Sequence, residues 1–279
     1  MRLGAFLPPG ETGNDPVAMR DYAQAVEALG YTHLCVGDNM LSVPQYQETY
    51  YEPLVLLGYL AAVTRQLELV TDIVPLPMQQ TIVVARQAAA VDVLSGGRLR
   101  LGIGLGWNDE AYEVLGVDWN TRGRRSEEQV AVLRALWTEE LATFKGRWHT
   151  FSNVGLPLLP VQRPIPIWFG GDADPVLRRI ARLGDGWLPE IPPDDNARQA
   201  VARLHTYARA AGRDPADIGI EPLLRTANKP ETQWVTDATV WQELGATHLA
   251  VETWGAKLRF PDEHIAALNR CYAVLRAGV

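Results

Sequence analysis

Residues 95–126 read SGGRLRLGIGLGWNDEAYEVLGVDWNTRGRRS and join a strand, a glycine-rich exit and a helix start. From Arg98 to Leu105, Leu99, Leu101, Ile103 and Leu105 alternate with Arg100, Gly102 and Gly104. This is the period of two of a strand, with small residues filling most of one face. The strand leaves through Gly106 and Trp107 into a polar loop, as expected where a ligand site begins at the carboxyl end of a parallel strand. A helix follows from about Thr121 or Ser126, with Val130, Leu133 and Trp137 on one face.

The same alternation of strand and helix extends in both directions. Upstream, Leu3–Leu7, His33–Gly37 and Leu67–Val74 read as strands. Helices follow them over Pro16–Leu29, around Leu54, Leu57 and Ala61 after a loop near Pro44, and over Thr81–Leu94. Downstream of the helix Ser126–Thr138, the Gly- and Pro-punctuated segment Phe144–Pro164 breaks the period and reads as a small hairpin. Strands then fall at Ile165–Phe169, Gly186–Pro189, Ile218–Arg225 and Thr247–Glu252, each followed by a helix. Eight units with near-continuous apolar strands predict an α/β fold, a (β/α)8 TIM barrel occupying residues 1–279 as one domain. The hairpin is a short insertion between helix four and strand five.

A doubly wound sheet is the competing fold, invited by GIGLG at 102–106. A dinucleotide fingerprint needs G-x-G-x-x-G running directly into a helix. Here the glycines fall at every second position inside a strand, and a loop follows.

Hydrophobic residues make up 47% of the chain and charged ones 21%, a balance that supports a large core. A net charge of −7, with no basic run longer than Arg122–Arg125, argues against nucleic acid as a partner. No segment is apolar for long enough to cross a membrane or serve as a signal peptide. Cys35 and Cys271 are far apart and form no CxxC pair, which fits a reducing cytoplasm. The five histidines show no metal-binding spacing and no GxSxG appears, so no metal is expected and hydrolytic chemistry is a weak candidate.

Barrel active sites are built at the carboxyl ends of the strands. Those positions include Phe6, Asp38, Asn39, Asp72, Ile73, Gly106, Trp107, Asn108, Phe169, Gly170, Gly171, Asp172, Glu190, Arg225, Glu252 and Trp254. The glycine exits on the adjacent fourth and fifth strands could cradle a phosphate, or simply turn the chain. Phe6, Trp107, Phe169 and Trp254 could wall a flat ligand, or pack the rim. Asp72, near the end of an apolar strand, needs a cavity or an escape to the rim. Asp38 and Asn39 could face the pocket or cap their own loop.

The run SGGRLRLGIGLGWNDEAYEVLGVDWNTRGRR, followed by FKGRWHTF, PVQRPIPIWFGG and ARLGDGWLP, resembles the luciferase-like monooxygenase superfamily. It is most similar to the branch dependent on the deazaflavin coenzyme F420. The resemblance implies a barrel with an insertion and a cofactor at its carboxyl end. Its phosphate would lie on Gly106, Trp107 and Asn108 and on Gly170, Gly171 and Asp172. The resemblance also implies a non-prolyl cis peptide at Asp72–Ile73 behind the ring. Where many relatives carry Asp-His after strand two, this chain has Asp38-Asn39, and an amide cannot act as a general acid or base. Proton transfer would then need another group, such as Asp38 or Asp72, or a substrate that requires only hydride transfer.

The function implied is hydride transfer between F420 and a small organic substrate. An FMN-dependent monooxygenase and a non-catalytic flavin-binding barrel are the alternatives, the latter kept open by Asn39. The resemblance also implies a homodimer.

Overall fold

The computed structural model describes residues 1–41 and 50–278. The loop expected near Pro44 lies outside them. The first half of the chain runs β1 (Arg2–Phe6), α1 (Pro16–Ala28), β2 (His33–Val36), α2 (Pro53–Val63), β3 (Glu68–Thr71) and β4 (Val74–Pro75). It continues through α3 (Thr81–Ser95), β5 (Leu99–Gly104), α4 (Asp109–Val114) and α5 (Arg122–Thr138). An antiparallel hairpin, β6 (Ala142–Lys145) and β7 (Thr150–Val154), forms the insertion. The second half comprises β8 (Ile167–Gly170), α6 (Asp174–Leu183), β9 (Gly186–Leu188), α7 (Asp195–Ala210), β10 (Gly219–Ile220) and β11 (Leu223–Arg225). It ends with α8 (Glu231–Glu243), β12 (His248–Glu252) and α9 (Asp262–Gly278).

The main sheet is parallel and curls in the order β10-β9-β8-β5-β3-β2-β1-β12-β11. Its two ends are one stretch of chain, the seventh strand, broken at Glu221–Pro222. β10 pairs with β9 and β11 with β12, while the Ala250 N–H donates to the Pro222 carbonyl at 3.1 Å. Proline has no N–H to give to the ladder, so pairing lapses there and resumes on the other neighbour. The ring therefore closes as a (β/α)8 TIM barrel, with the hairpin inserted before the fifth barrel strand.

Alternation along each strand sorts the side chains into two layers. Leu99, Leu101 and Ile103 point outward into the large core under the helices, against residues such as Leu133 and Trp137. Arg100, Gly102 and Gly104 are on the opposite, inward face. Phe6, Cys35, Val70 and Ala250 form a small apolar layer of their own inside the ring. Local signals set the helix starts: Asp15 caps α1 ahead of Pro16, and Asp194 caps α7.

Three expectations need correction. Of the two starts expected for the fourth major helix, Thr121 holds, as the residue before a helix that begins at Arg122, and Ser126 does not, because Ser126 is buried and bonds back to the Gly123 carbonyl instead of capping. The polar loop after β5 contains α4, capped by Asn108, whose Oδ1 accepts the Ala111 N–H at 3.2 Å. The third strand is not continuous over Leu67–Val74; the Asp72–Ile73 peptide is cis and divides it into β3 and β4. Among the described residues, no helix is long and apolar enough to cross a membrane.

Candidate active site

β5 and β8 pair directly, with Leu101 opposite Ile167 and Ile103 opposite Phe169, so their two glycine exits lie side by side. Ile73 lies beside both. A Cβ on Gly104 would sit 2.5 Å from Ile73 Cδ1, and one on Gly170 would sit 3.0 Å from Ile73 Cγ2. Only a missing side chain lets that isoleucine approach so closely. Gly106 and Gly171, with φ of 75° and 100°, then turn the two exits through the left-handed region. A small cleft opens between Asp38, Asn39, Ile73, Gly106, Trp107 and Asn108. Residues from the second, third and fourth barrel strands thus meet in one place.

Phe169 does not join them. It is 3% exposed and packs in the outer core under the helices, because the register turns Trp168 and Gly170 inward and Phe169 outward. Phe6 does face the interior, but belongs to the apolar layer with Cys35 and Val70. Asp172 is exposed, and its carboxylate would repel a phosphate, which leaves its backbone N–H as the useful group.

Sequence reasoning missed the support behind the β5 exit. Asn108 keeps a buried Nδ2 with no hydrogen-bond partner, and Arg125 a buried Nε likewise. The Tyr112 hydroxyl donates to the Leu105 carbonyl. Burial raises the Tyr112 pKa to about 12 against the pull of Arg122 and Arg125, so both cations lie near this exit. Arg122 itself stacks on Trp119, 3.6 Å from the ring centre. Unpartnered buried donors and nearby cations, beside a turn that excludes side chains, are the chemistry of an anion site. The run Arg122–Arg125 was the available signal, but only the fold brings it back to the exit of β5.

Carboxyls gather on the same rim. Burial, followed by the charge of Glu52, raises the Asp38 pKa to about 7. Asp72 is held well above the ordinary carboxyl range by burial and then by Glu190, Glu221 and Glu252. Burial also raises Glu252, although Arg225 Nε bonds it at 3.0 Å. These carboxyls hold their protons to higher pH than they would in water.

Beneath the mouth, on the barrel floor, His33 Nε2 lies 2.5 Å from Glu221 Oε1, and the Cys35 thiol donates to the same oxygen at 3.3 Å. Arg100 pairs with the other oxygen, Oε2, and stacks on Trp168 at 4.2 Å. His33, Cys35 and Glu221 hold three ligand-type atoms within 4.8 Å of one another. Arg100 already neutralises that carboxylate, and the His33–Glu221 separation is hydrogen-bond length, so the trio serves as a buried ion network. No spacing along the chain signals it, because its members come from three separate strands.

Residues 1–253 match the model of the luciferase-like monooxygenase family. The chain belongs to the luciferase-like monooxygenase family. An uncharacterised protein of Mycobacterium tuberculosis is 33% identical over 250 residues, covering 88% of this chain and 84% of the relative. The FMNH(2)-dependent dimethylsulfone monooxygenase of Pseudomonas fluorescens is 31% identical over 208 residues, covering 74% of this chain and 56% of that enzyme. Among solved structures, an F420-dependent secondary alcohol dehydrogenase superposes with a TM-score of 0.85 at 16% identity, covering 99% of both chains. That likeness shows the shared fold. In this luciferase-like chain the glycine exits, the cis peptide and the rim carboxyls occupy the carboxyl end of the barrel, where barrel enzymes place their chemistry.

Proposed function

We propose that this luciferase-like oxidoreductase binds coenzyme F420 and passes a hydride between it and a small organic substrate. The observation that carries the reading is Asp38, a carboxyl with a raised pKa, in one cleft with Gly106 and Ile73, while the buried carboxyl of Asp72, also raised, directly precedes that isoleucine. Reducing a carbonyl by hydride also requires a proton, and a carboxyl that keeps its proton near neutral pH can give one. The residues fit an anionic cofactor tail. Gly106, Trp107, Asn108, Gly170, Gly171 and the Asp172 backbone would hold the phosphate, with Arg125 behind them.

When bound, the deazaflavin ring supplies the hydride or accepts it. The chain does the rest. Ile73 backs the space in front of Gly104 and Gly170, setting the depth at which a flat ring can lie. Asp38 or Asp72 gives its proton to the substrate oxygen during reduction and takes it back during oxidation. Asn39 can donate or accept a hydrogen bond but moves no proton.

A second reading has its own support: the relative that uses FMNH2 is a monooxygenase, and an FMN phosphate would suit the same cradle. Spectroscopic titration of the purified protein with each cofactor separates the two. Tight FMN binding with no affinity for F420 would sink the first reading. Steady turnover of any substrate excludes a non-catalytic cofactor carrier. A cytoplasmic setting suits the two buried free cysteines. A homodimer belongs to the same proposal, and light scattering tests it.

A further inference from the structure

Two loops at the mouth are fastened to each other. Glu11, in the loop after β1, and His264, in the first turn of α9, bring Oε2 and Nε2 to 3.1 Å; both atoms are buried and neither completes a hydrogen bond, so the hydrogen bonds of the fastening are those each residue makes to the β12 loop. The other ring nitrogen, Nδ1, lies 2.8 Å from the hydroxyl of Thr253, which directly follows β12. The second oxygen of Glu11 accepts the Gly255 N–H at 3.3 Å. His264 and Thr253 are both fully buried.

The loop so held has an unusual backbone. Gly255 has φ 79°, and Lys257, with a full side chain, has φ 57°. Non-glycine residues enter that region only when their surroundings impose it. Phe260 then packs at 5.1 Å on Tyr22 of α1, whose hydroxyl donates to the Phe6 carbonyl. The fastening thus reaches from the loop tip back to the top of β1.

In the ring of strands, β12 lies across the barrel from the β5 and β8 exits. Whatever the β12 loop presents therefore faces the side of the mouth left for substrate. It presents Trp254, an indole 38% exposed, next to the Glu252–Arg225 pair. We propose that Glu11 and His264 are positioning residues, which hold the β12 loop so that Trp254 forms one wall of the substrate side of the mouth. This rests on the oxidoreductase reading above only for what the wall faces; the fastening itself belongs to the protein without cofactor.

The test is hydrogen exchange on the cofactor-free protein, with the variants Glu11→Ala and Thr253→Val. Amides 254–260 should exchange at least tenfold faster, while those of β5 and β8 keep their protection. Acrylamide quenching of Trp254, taken as the difference from Trp254→Phe, should at least double. Titrations with F420 and FMN should stay within twofold of the parent protein, since the cradle is on the opposite side. Glu11→Gln, which keeps one acceptor oxygen, should restore part of the protection.

Unchanged exchange and quenching in both variants would overturn the proposal. So would a loss of protection spread evenly over the barrel, which marks a merely structural contact. If the parent protein binds neither cofactor, the oxidoreductase reading fails, and exchange still decides whether the fastening exists.

Discussion

Arg100 and Glu221 form an ion pair inside the barrel, with side chains 2% and 1% exposed. Burial opposes the charge on Glu221, but Arg100, followed by His33, holds its carboxyl well below the ordinary range. A carboxyl depressed in the folded state stabilises the fold above its unfolded pKa, and that contribution is lost as pH falls. Stability should therefore fall off below about pH 5. Glu221→Gln should flatten this acid slope and cost about 3–5 kcal/mol near neutral pH, because it leaves Arg100 buried with less compensation. Urea melts across the pH range measure both effects.

The contact between Ile73 and the two glycines makes a second prediction. Gly104→Val should push Ile73 out of place, costing about 1–3 kcal/mol of stability and weakening cofactor binding at least tenfold. Replacing Gly171 with leucine should abolish cofactor binding if the cradle is real; retained affinity would refute that assignment.

Gly58 is the matched control. It lies inside α2, where an added Cβ meets nothing within 4 Å. Gly58→Ala should stabilise the protein by about 0.5–1 kcal/mol and leave cofactor titrations unchanged. A destabilised Gly58→Ala would show that the open space has been misjudged.

Asp38 links activity to pH. With its pKa raised to about 7, mainly by burial, it carries a proton below that pH and loses it above. If it is the donor, carbonyl reduction should decline as pH rises through about 7, and oxidation should show the opposite limb. Asp38→Asn should remove that limb and slow turnover about 100-fold. The raised pKa also means that the fold opposes ionisation of this half-buried group. Asp38→Asn should therefore be more stable than the parent by on the order of 1 kcal/mol above pH 7, with the difference vanishing toward pH 4. If Asp72→Asn removes the limb and Asp38→Asn does not, Asp72 is the donor.

Much of this protein could be read from residue order alone. A strand of leucines alternating with Arg100, Gly102 and Gly104, repeated as eight strand–helix units, specifies a parallel barrel because period and punctuation are local properties. The glycine exits at Gly106 and Gly170 and the carboxyls Asp38 and Asp72 were visible for the same reason, since each terminates a legible strand. The bond at Asp72–Ile73 came only through resemblance to a family.

Other features depended on which face each side chain takes and which distant strands meet. Phe169 ends a strand at the expected place, yet the register turns it into the outer core. Arg125 reads as part of a basic run until the start of α5 folds back against the exit of β5. His33, Cys35, Arg100 and Glu221 sit on three different barrel strands, and no spacing in the chain relates them. Sequence determined the barrel and the rim positions, because strand, helix and turn preferences act over a few residues. Tertiary structure decided the cations behind the β5 exit, the buried ion network and the Glu11–His264 approach, because ring closure alone brings the first strands of the chain against the last.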